Sequence, residues 1–317
     1  MTIKKRQLGK TNIEVTPIGL GVMQFSGKSI FTNLMLSDVP EGETNAIVKA
    51  ALDGGINWFD TAEAYGFGRS ERSLAEALSL AGIKDADVII GTKWNPVLRT
   101  ARNIPRTINN RIRFLEGYSI DLYMVHHPIS FSSIEAQMNA MADLVDAGVI
   151  RSVGISNFSA DQMRQAHAAL AKRGLPLAAN QVQYNLLRRN IETNGVLETA
   201  KELGVTIVCW GPLASGLLTG KFHDNPEILS NTPPMRRRRL ERLLESSRPV
   251  LAALKEIASR YNATPAQVAL NWLIHFHGET VVAIPGASRV RHAQESAGAM
   301  SFRLSDDELA HLDQLTR

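Results

Sequence analysis

Short apolar runs, each closed by a polar or indole-bearing residue, recur along the chain. Asn57-Trp58-Phe59 ends in Asp60, Val88 to Thr92 in Lys93, Leu122 to Val125 in His126, Val153 to Ile155 in Ser156 and Asn157, and Val205 to Cys209 in Trp210. Each run is too short for a buried helix, is rich in Val, Ile and aromatics, and gives way to helical periodicity. Each therefore predicts a fully buried parallel strand. Parallel strands gather their carboxyl ends on one face, and in a closed barrel that face carries the chemistry. The residues that close the runs become candidate functional groups.

A hairpin is predicted first, Arg6 to Leu8 against Val15 to Ile18 with Gly9-Lys10-Thr11-Asn12 turning. Strands then begin at Ile18, Asn57, Val88, Leu122, Ser152, Asn180, Thr206 and Val281, eight in all. Amphipathic helices fill the intervals, as in Met138, Met141, Leu144 and Val145. Their starts are readable: Ser159-x-x-Gln162 is a capping box, Thr264-Pro265-x-Gln267 adds proline in the first turn, and Leu304-Ser305 to Glu308-Leu309 pairs a box with a staple. Alternation over 1–317 with no break in composition predicts one domain, an α/β (β/α)8 TIM barrel. A doubly wound open sheet is the alternative. It would usually show G-x-G-x-x-G after its first strand, whereas Gly19-Leu20-Gly21 is followed by Val22-Met23-Gln24. Two connections leave the catalytic face as long loops after strands one and seven, Gln24 to Glu41 and Pro212 to Ser246, and predict lids or partly disordered segments.

Composition narrows the class. The 317 residues are 44% hydrophobic and 21% charged, which suits a soluble protein with a large core. The single cysteine, Cys209, falls in a predicted strand and excludes an internal disulfide, which fits a reducing cytoplasm. No window approaches the roughly 20 apolar residues of a membrane span, so a cytoplasmic protein without membrane partners is expected. The net charge of +4 and the basic run Arg236 to Arg239 leave two readings for that run, a solvated stretch opening a helix or an anion-binding one. No nucleic-acid motif accompanies it, and no zinc spacing or other metal-site pattern occurs.

Asp60, Tyr65, Lys93 and His126 permit a definite chemistry. Tyrosine and lysine both titrate near 10 when isolated. A lysine ammonium beside the phenol favours phenolate and lowers the tyrosine value, while a buried aspartate keeps the lysine charged and in place. A histidine on the next strand holds a substrate oxygen in line for the proton, an arrangement that serves carbonyl reduction or alcohol oxidation. Singly, each has a plainer reading: a cap for Asp60, a surface aromatic for Tyr65, satisfied polar residues for Lys93 and His126. Their joint placement at or just after strand ends favours the chemistry.

These residues sit in a series of motifs that resembles the aldo-keto reductase superfamily over nearly the whole chain. The series comprises Gly19-Leu20-Gly21, Asn57 to Gly66, Gly91-Thr92-Lys93, Asp121 to His126, Gly148 to Phe158, Gln181 to Asn185, Trp210-Gly211-Pro212-Leu213 and Ile284 to Ser288. The resemblance implies a barrel enzyme using NADPH or NADH, with Asp60, Tyr65, Lys93 and His126 as catalytic tetrad and Tyr65 as proton donor after hydride transfer. It implies nicotinamide contacts from Ser156, Asn157 and Gln181, with Trp210 under the ring and Gly21 and Met23 beside it. It likens Pro212, Leu213, Ser215, Gly216 and Leu217 to the loop that straps the pyrophosphate, with Lys221 near its end. Gly211 stands where serine is common, which removes one side-chain contact. At the adenosine end it places Gly286, Ser288, Arg289, Arg291 and Glu295, and two arginines there favour the 2′-phosphate of NADP. Ser296 replaces the usual asparagine that meets adenine.

The implied function is reduction of aldehydes or ketones to alcohols with NADPH. The rival is a cofactor-binding regulatory subunit resembling potassium-channel beta subunits, which have asparagine at the His126 position. A third reading makes Lys93 a Schiff-base lysine, but Asp60 would hold it protonated. Substrate contacts are expected from Phe25, Trp94 and His127, with Met23 and Gln24 completing the wall; His127 either contacts substrate or packs beside Pro128. The wall suits aromatic or medium aliphatic aldehydes and admits pyridoxal or a sugar-derived carbonyl. A monomer or weak homo-oligomer is expected.

Overall fold

The computed structural model describes residues 3–27, 39, 42–230, 232 and 234–317. The hairpin forms first, from β1 (Arg6–Gln7) and β2 (Glu14–Val15), paired antiparallel. Eight parallel strands follow: β3 (Leu20–Gly21), β4 (Trp58–Asp60), β5 (Ile89–Trp94), β6 (Ile120–Val125), β7 (Ile150–Ser156), β8 (Leu177–Gln183), β9 (Thr206–Trp210) and β10 (Val281–Ile284). They run in order around the sheet. Parallel bridges of Ile18 to Ala283 and Gly21 to Gly286 return β10 to β3. The sheet is thus a barrel, not the open alternative.

Helices clothe it: α1 (Glu43–Asp53), α2 (Arg69–Leu80), α3 (Ile104–Phe114), α4 (Ile134–Asp146), α5 (Ala160–Ala171) and α6 (Val196–Leu203). After β9 come the short α7 (Lys221–Asp224) and α8 (Pro226–Ser230), then α9 (Pro234–Leu244), α10 (Arg248–Arg260) and α11 (Pro265–Phe276). The chain closes with α12 (Val290–Gly298) and α13 (Asp306–Thr316). All three capping boxes form, at Ser159, Thr264 and Ser305. No helix among the described residues is long and apolar enough to cross a membrane.

Side-chain alternation divides the core in two. Inside the barrel lie Trp58, Leu122, Met124, Ala179, Val208 and Val282, and the hairpin plugs its amino-terminal end with Leu8, Ile13 and Val15. Outside, Ile90, Tyr123, Val153, Ile155 and Ile207 meet the helices. Gly19 is required by this packing, since a Cβ there would stand 2.3 Å from the Trp58 indole. That indole donates to the Thr16 carbonyl, 2.9 Å.

The long connection after β9 differs from expectation. It is folded into α7, α8 and α9, with Leu217, Phe222, Leu229 and Leu240 forming a small core of their own. Most of the connection after β3 lies outside the described residues.

Candidate active site

β4 ends in Asp60, β5 carries Lys93 inward, and His126 follows β6 directly. Tyr65 lies on the turn after β4, fixed when the Ser70 N–H donates to its carbonyl, 3.3 Å. Gly66 makes that turn possible: its φ is 67° and a Cβ would lie 2.3 Å from the Ser26 carbonyl oxygen.

Lys93 is fully buried. Its ammonium donates to Asp60 Oδ1 at 2.6 Å and to the Thr61 carbonyl at 2.7 Å, and it stands 5.1 Å from the centre of the Tyr65 ring. Gln181 Nε2 donates to the other Asp60 oxygen, 2.8 Å. Desolvation works against the Lys93 charge, yet Asp60 and Tyr65 raise its pKa above the ordinary value, so it stays an ammonium. Burial raises the Asp60 pKa while Lys93 and Gln181 pull it back. Tyr65 corrects an expectation: burial lifts its pKa above 10, and Lys93 only offsets that rise. The phenol therefore holds its proton, which is the state an acid needs.

The His126 ring meets Tyr65 edge-on, with centroids 5.8 Å apart. Desolvation, then Lys93, then His127 drive its pKa down to about 2, so it is neutral and carries a single N–H. His127 stacks on it at 4.5 Å. His126 Nδ1 is buried with no hydrogen-bond partner among the described residues, as is Gln24 Oε1.

The four residues stand at one end of a cavity of about 610 Å³. Lys93 is behind the wall, and Asp60, Tyr65 and His126 reach it. The next stretch is a polar chain: Trp210 Nε1 donates to Asn157 Oδ1 (3.1 Å), Asn157 Nδ2 to Ser156 Oγ (3.0 Å), and Ser156 Oγ to the Gln181 carbonyl (3.0 Å). Beyond Trp210 the backbone turns left-handed at Gly211 (φ 63°), Ala214 (50°), Ser215 (60°) and Gly216 (92°). Positive φ at two residues with a Cβ is strain of the kind kept at binding sites, and successive amides in such turns favour anions.

Toward the adjoining corner Lys221, Ser288, His292 and Glu295 line the cavity; burial lowers the His292 pKa, and Lys221, Arg291 and Arg289 depress it further against the pull of Glu43. An elongated ligand with an anionic tail fits this cavity, its reactive head against Tyr65. Gly21, Met23, Pro212, Leu213, Ser215, Gly216, Lys221, Gly286, Ser288 and Glu295 all line it, as do Gln24 and His127.

Other expected residues stand elsewhere. Trp94 points out of the barrel, fully buried, its indole donating to Asn103 Oδ1 at 2.9 Å. Phe25 and Leu217 are buried in apolar clusters. Arg289 is ion-paired with Glu43 at 3.0 Å, and Arg291 is largely exposed, 3.8 Å from Glu295. The run Arg236 to Arg239 is part of α9. Arg237 donates to the Ser230 carbonyl (3.2 Å) and Arg238 is exposed, while the side chains of Arg236 and Arg239 lie outside the described residues. His292, Thr219, Ala266 and Leu270 line the cavity although sequence reasoning does not single them out. For His292 a signal exists, because it lies one helical turn beyond Ser288, and Ser288 N–H points at its Nδ1 (3.3 Å).

A family model described as "Aldo/keto reductase family" matches residues 17–317. Aldo-keto reductase str7 of Strobilurus tenacellus is 32% identical, covering 99% of this chain and 92% of that one. The chloroplastic pyridoxal reductase of Arabidopsis thaliana is 30% identical, covering 95% and 83%. Among solved structures, an aldo-keto reductase from Klebsiella pneumoniae in complex with NADPH superposes with a TM-score of 0.76 at 26% identity, covering 100% of this chain and 96% of the other.

Proposed function

The chain belongs to the aldo/keto reductase family, and from that premise we propose that it reduces aldehydes or ketones to alcohols with NADPH, Tyr65 giving the proton. The observation that carries this reading is Lys93, buried, charged, paired with Asp60 and set against the Tyr65 ring, behind the wall of a cavity that Asp60, Tyr65 and His126 line. NADPH, when bound, supplies the hydride that the carbonyl carbon receives.

The protein's own groups do the rest. The neutral His126 and the Tyr65 hydroxyl both line the cavity, their rings 5.8 Å apart, and a carbonyl oxygen bound between them would accept hydrogen bonds from both. As negative charge grows on that oxygen, the Tyr65 proton moves to it, and Lys93 stabilises the phenolate left behind. Asp60 keeps Lys93 charged throughout. Asn157, Ser156 and Gln181 would hold the carboxamide edge of the nicotinamide, and Trp210 its face. The left-handed turns from Gly211 to Gly216 and the Lys221, Ser288 and His292 corner would hold the phosphates. Met23, Gln24 and His127 are left to meet the substrate.

Loss of NADPH absorbance with a panel of aldehydes, pyridoxal included, tests the reading. Turnover in the wild type that drops by about 10²–10⁴-fold in Tyr65→Phe, with NADPH still bound, is the expected result. Equal turnover in the two proteins would remove Tyr65 from the role.

A further inference from the structure

Behind the barrel wall, on the side of β5 away from the cavity, lies a second cluster of charges that the reaction as derived does not use. Glu71 on α2 is fully buried. Its Oε1 accepts from the Thr92 hydroxyl at 2.7 Å, and its Oε2 lies 3.0 Å from Arg111 Nε on α3. Arg111 is itself buried and stands 3.6 Å from Glu63, the residue three beyond Asp60. The Glu63 carboxylate accepts the Asn95 N–H (3.0 Å) and Arg99 Nη1 (2.7 Å), while its backbone N–H donates to the Lys93 carbonyl (3.1 Å). Residues 92, 93 and 95 are thus each tied to one of two glutamates that share Arg111.

Strand geometry makes this relevant to the cavity. Thr92 and Trp94 point outward while Lys93 points in, so whatever fixes Thr92 fixes the direction of Lys93. An ion pair behind a strand is an uncommon way to hold it, since burying two charges is costly and apolar packing would serve stability as well. We propose that Glu71 is a positioning residue for the proton-donating group, acting through Thr92 and Arg111 on the strand that carries Lys93. The proposal rests on the reductase reading for its catalytic consequence, but the placement of Lys93 is a property of the ligand-free protein.

Glu71→Gln keeps the shape and removes the charge; Thr92→Val removes only the link to the strand. Both are expected to lower kcat about tenfold with an aromatic aldehyde at about pH 8, as small misplacements at a reacting centre do. NADPH Kd and aldehyde KM should stay within about twofold. In the ligand-free proteins, the Lys93 ammonium resonance in ¹⁵N-lysine spectra, assigned by its loss in Lys93→Met, should move in both variants. An unmoved resonance, or wild-type kcat in both variants, overturns the proposal. A moved resonance in a protein that turns over no carbonyl would leave the positioning intact and count against the reductase reading instead.

Discussion

Neither Lys93 nor Asp60 is tolerable in this interior without the other. Lys93→Met leaves a buried carboxylate that, among the described residues, hydrogen-bonds a side chain only at Gln181, and a buried charge stripped of its partner costs about 3–5 kcal/mol. Asp60→Asn combined with Lys93→Met removes both charges and keeps an acceptor for Gln181. Denaturant unfolding should therefore find the double variant more stable than Lys93→Met alone, and both inactive. A double variant destabilised by the sum of its parts would mean the pair contributes nothing through mutual neutralisation. The same residues show how far single positions are legible. Asp60, Lys93 and His126 stand out in the sequence because a polar group closes an apolar run. Proximity in sequence draws Trp94 toward the substrate, although a period of two already turns it away from Lys93. Phe25 and Leu217 mislead differently: nothing local distinguishes an apolar residue that faces a ligand from one that faces a core. The elevated Tyr65 pKa is also out of reach of the sequence, because burial, not the neighbouring lysine, sets its sign.

At the level of elements, the strands and the three capped helices are readable because each signal is local: alternation, a cap, a proline at the first turn. The connection after β9 is not, since its helices are short and their apolar positions serve a private cluster. Even so, the spacing of Leu240, Leu243 and Leu244 is helical, and Leu240 packs with Leu217 on the very loop that lines the cavity. A cluster detached from the main core opens locally, at less than the global cost. Leu240→Ala should thus weaken NADPH binding by about tenfold and expose the 221–247 stretch to protease, while the thermal midpoint shifts by no more than about 2 °C. Fluorescence titration and circular dichroism check the two halves. An unchanged Kd would show that the cluster and the loop lining the cavity are independent.

The whole molecule responds to pH through opposed groups. Burial raises Glu71 to about 7, with Arg111 resisting, so the folded state takes up a proton that the unfolded chain, at 4.5, does not. The stability linked to Glu71 is complete below about 4.5 and is lost as pH rises through about 7. His126, driven down to about 2 from 6.5, acts the other way: its contribution is present above 6.5 and drains away as acid is added. His127, His275 and His292 are lowered as well and reinforce it. Between neutrality and pH 5 the glutamate therefore offsets the histidines, and the wild type should show a shallow acid limb. Glu71→Gln removes the offset. From about pH 8 to about pH 5 the wild type should gain about 2–3 kcal/mol of stability relative to the variant, since each tenfold difference in proton affinity between folded and unfolded states is worth about 1.4 kcal/mol. A difference independent of pH, measured by urea unfolding at each value, would mean that Glu71 titrates as an ordinary carboxylate. It would also mean that Arg111 fully offsets the cost of its burial, which would make the pair behind β5 a source of stability and not a load the fold carries to hold Lys93 in place.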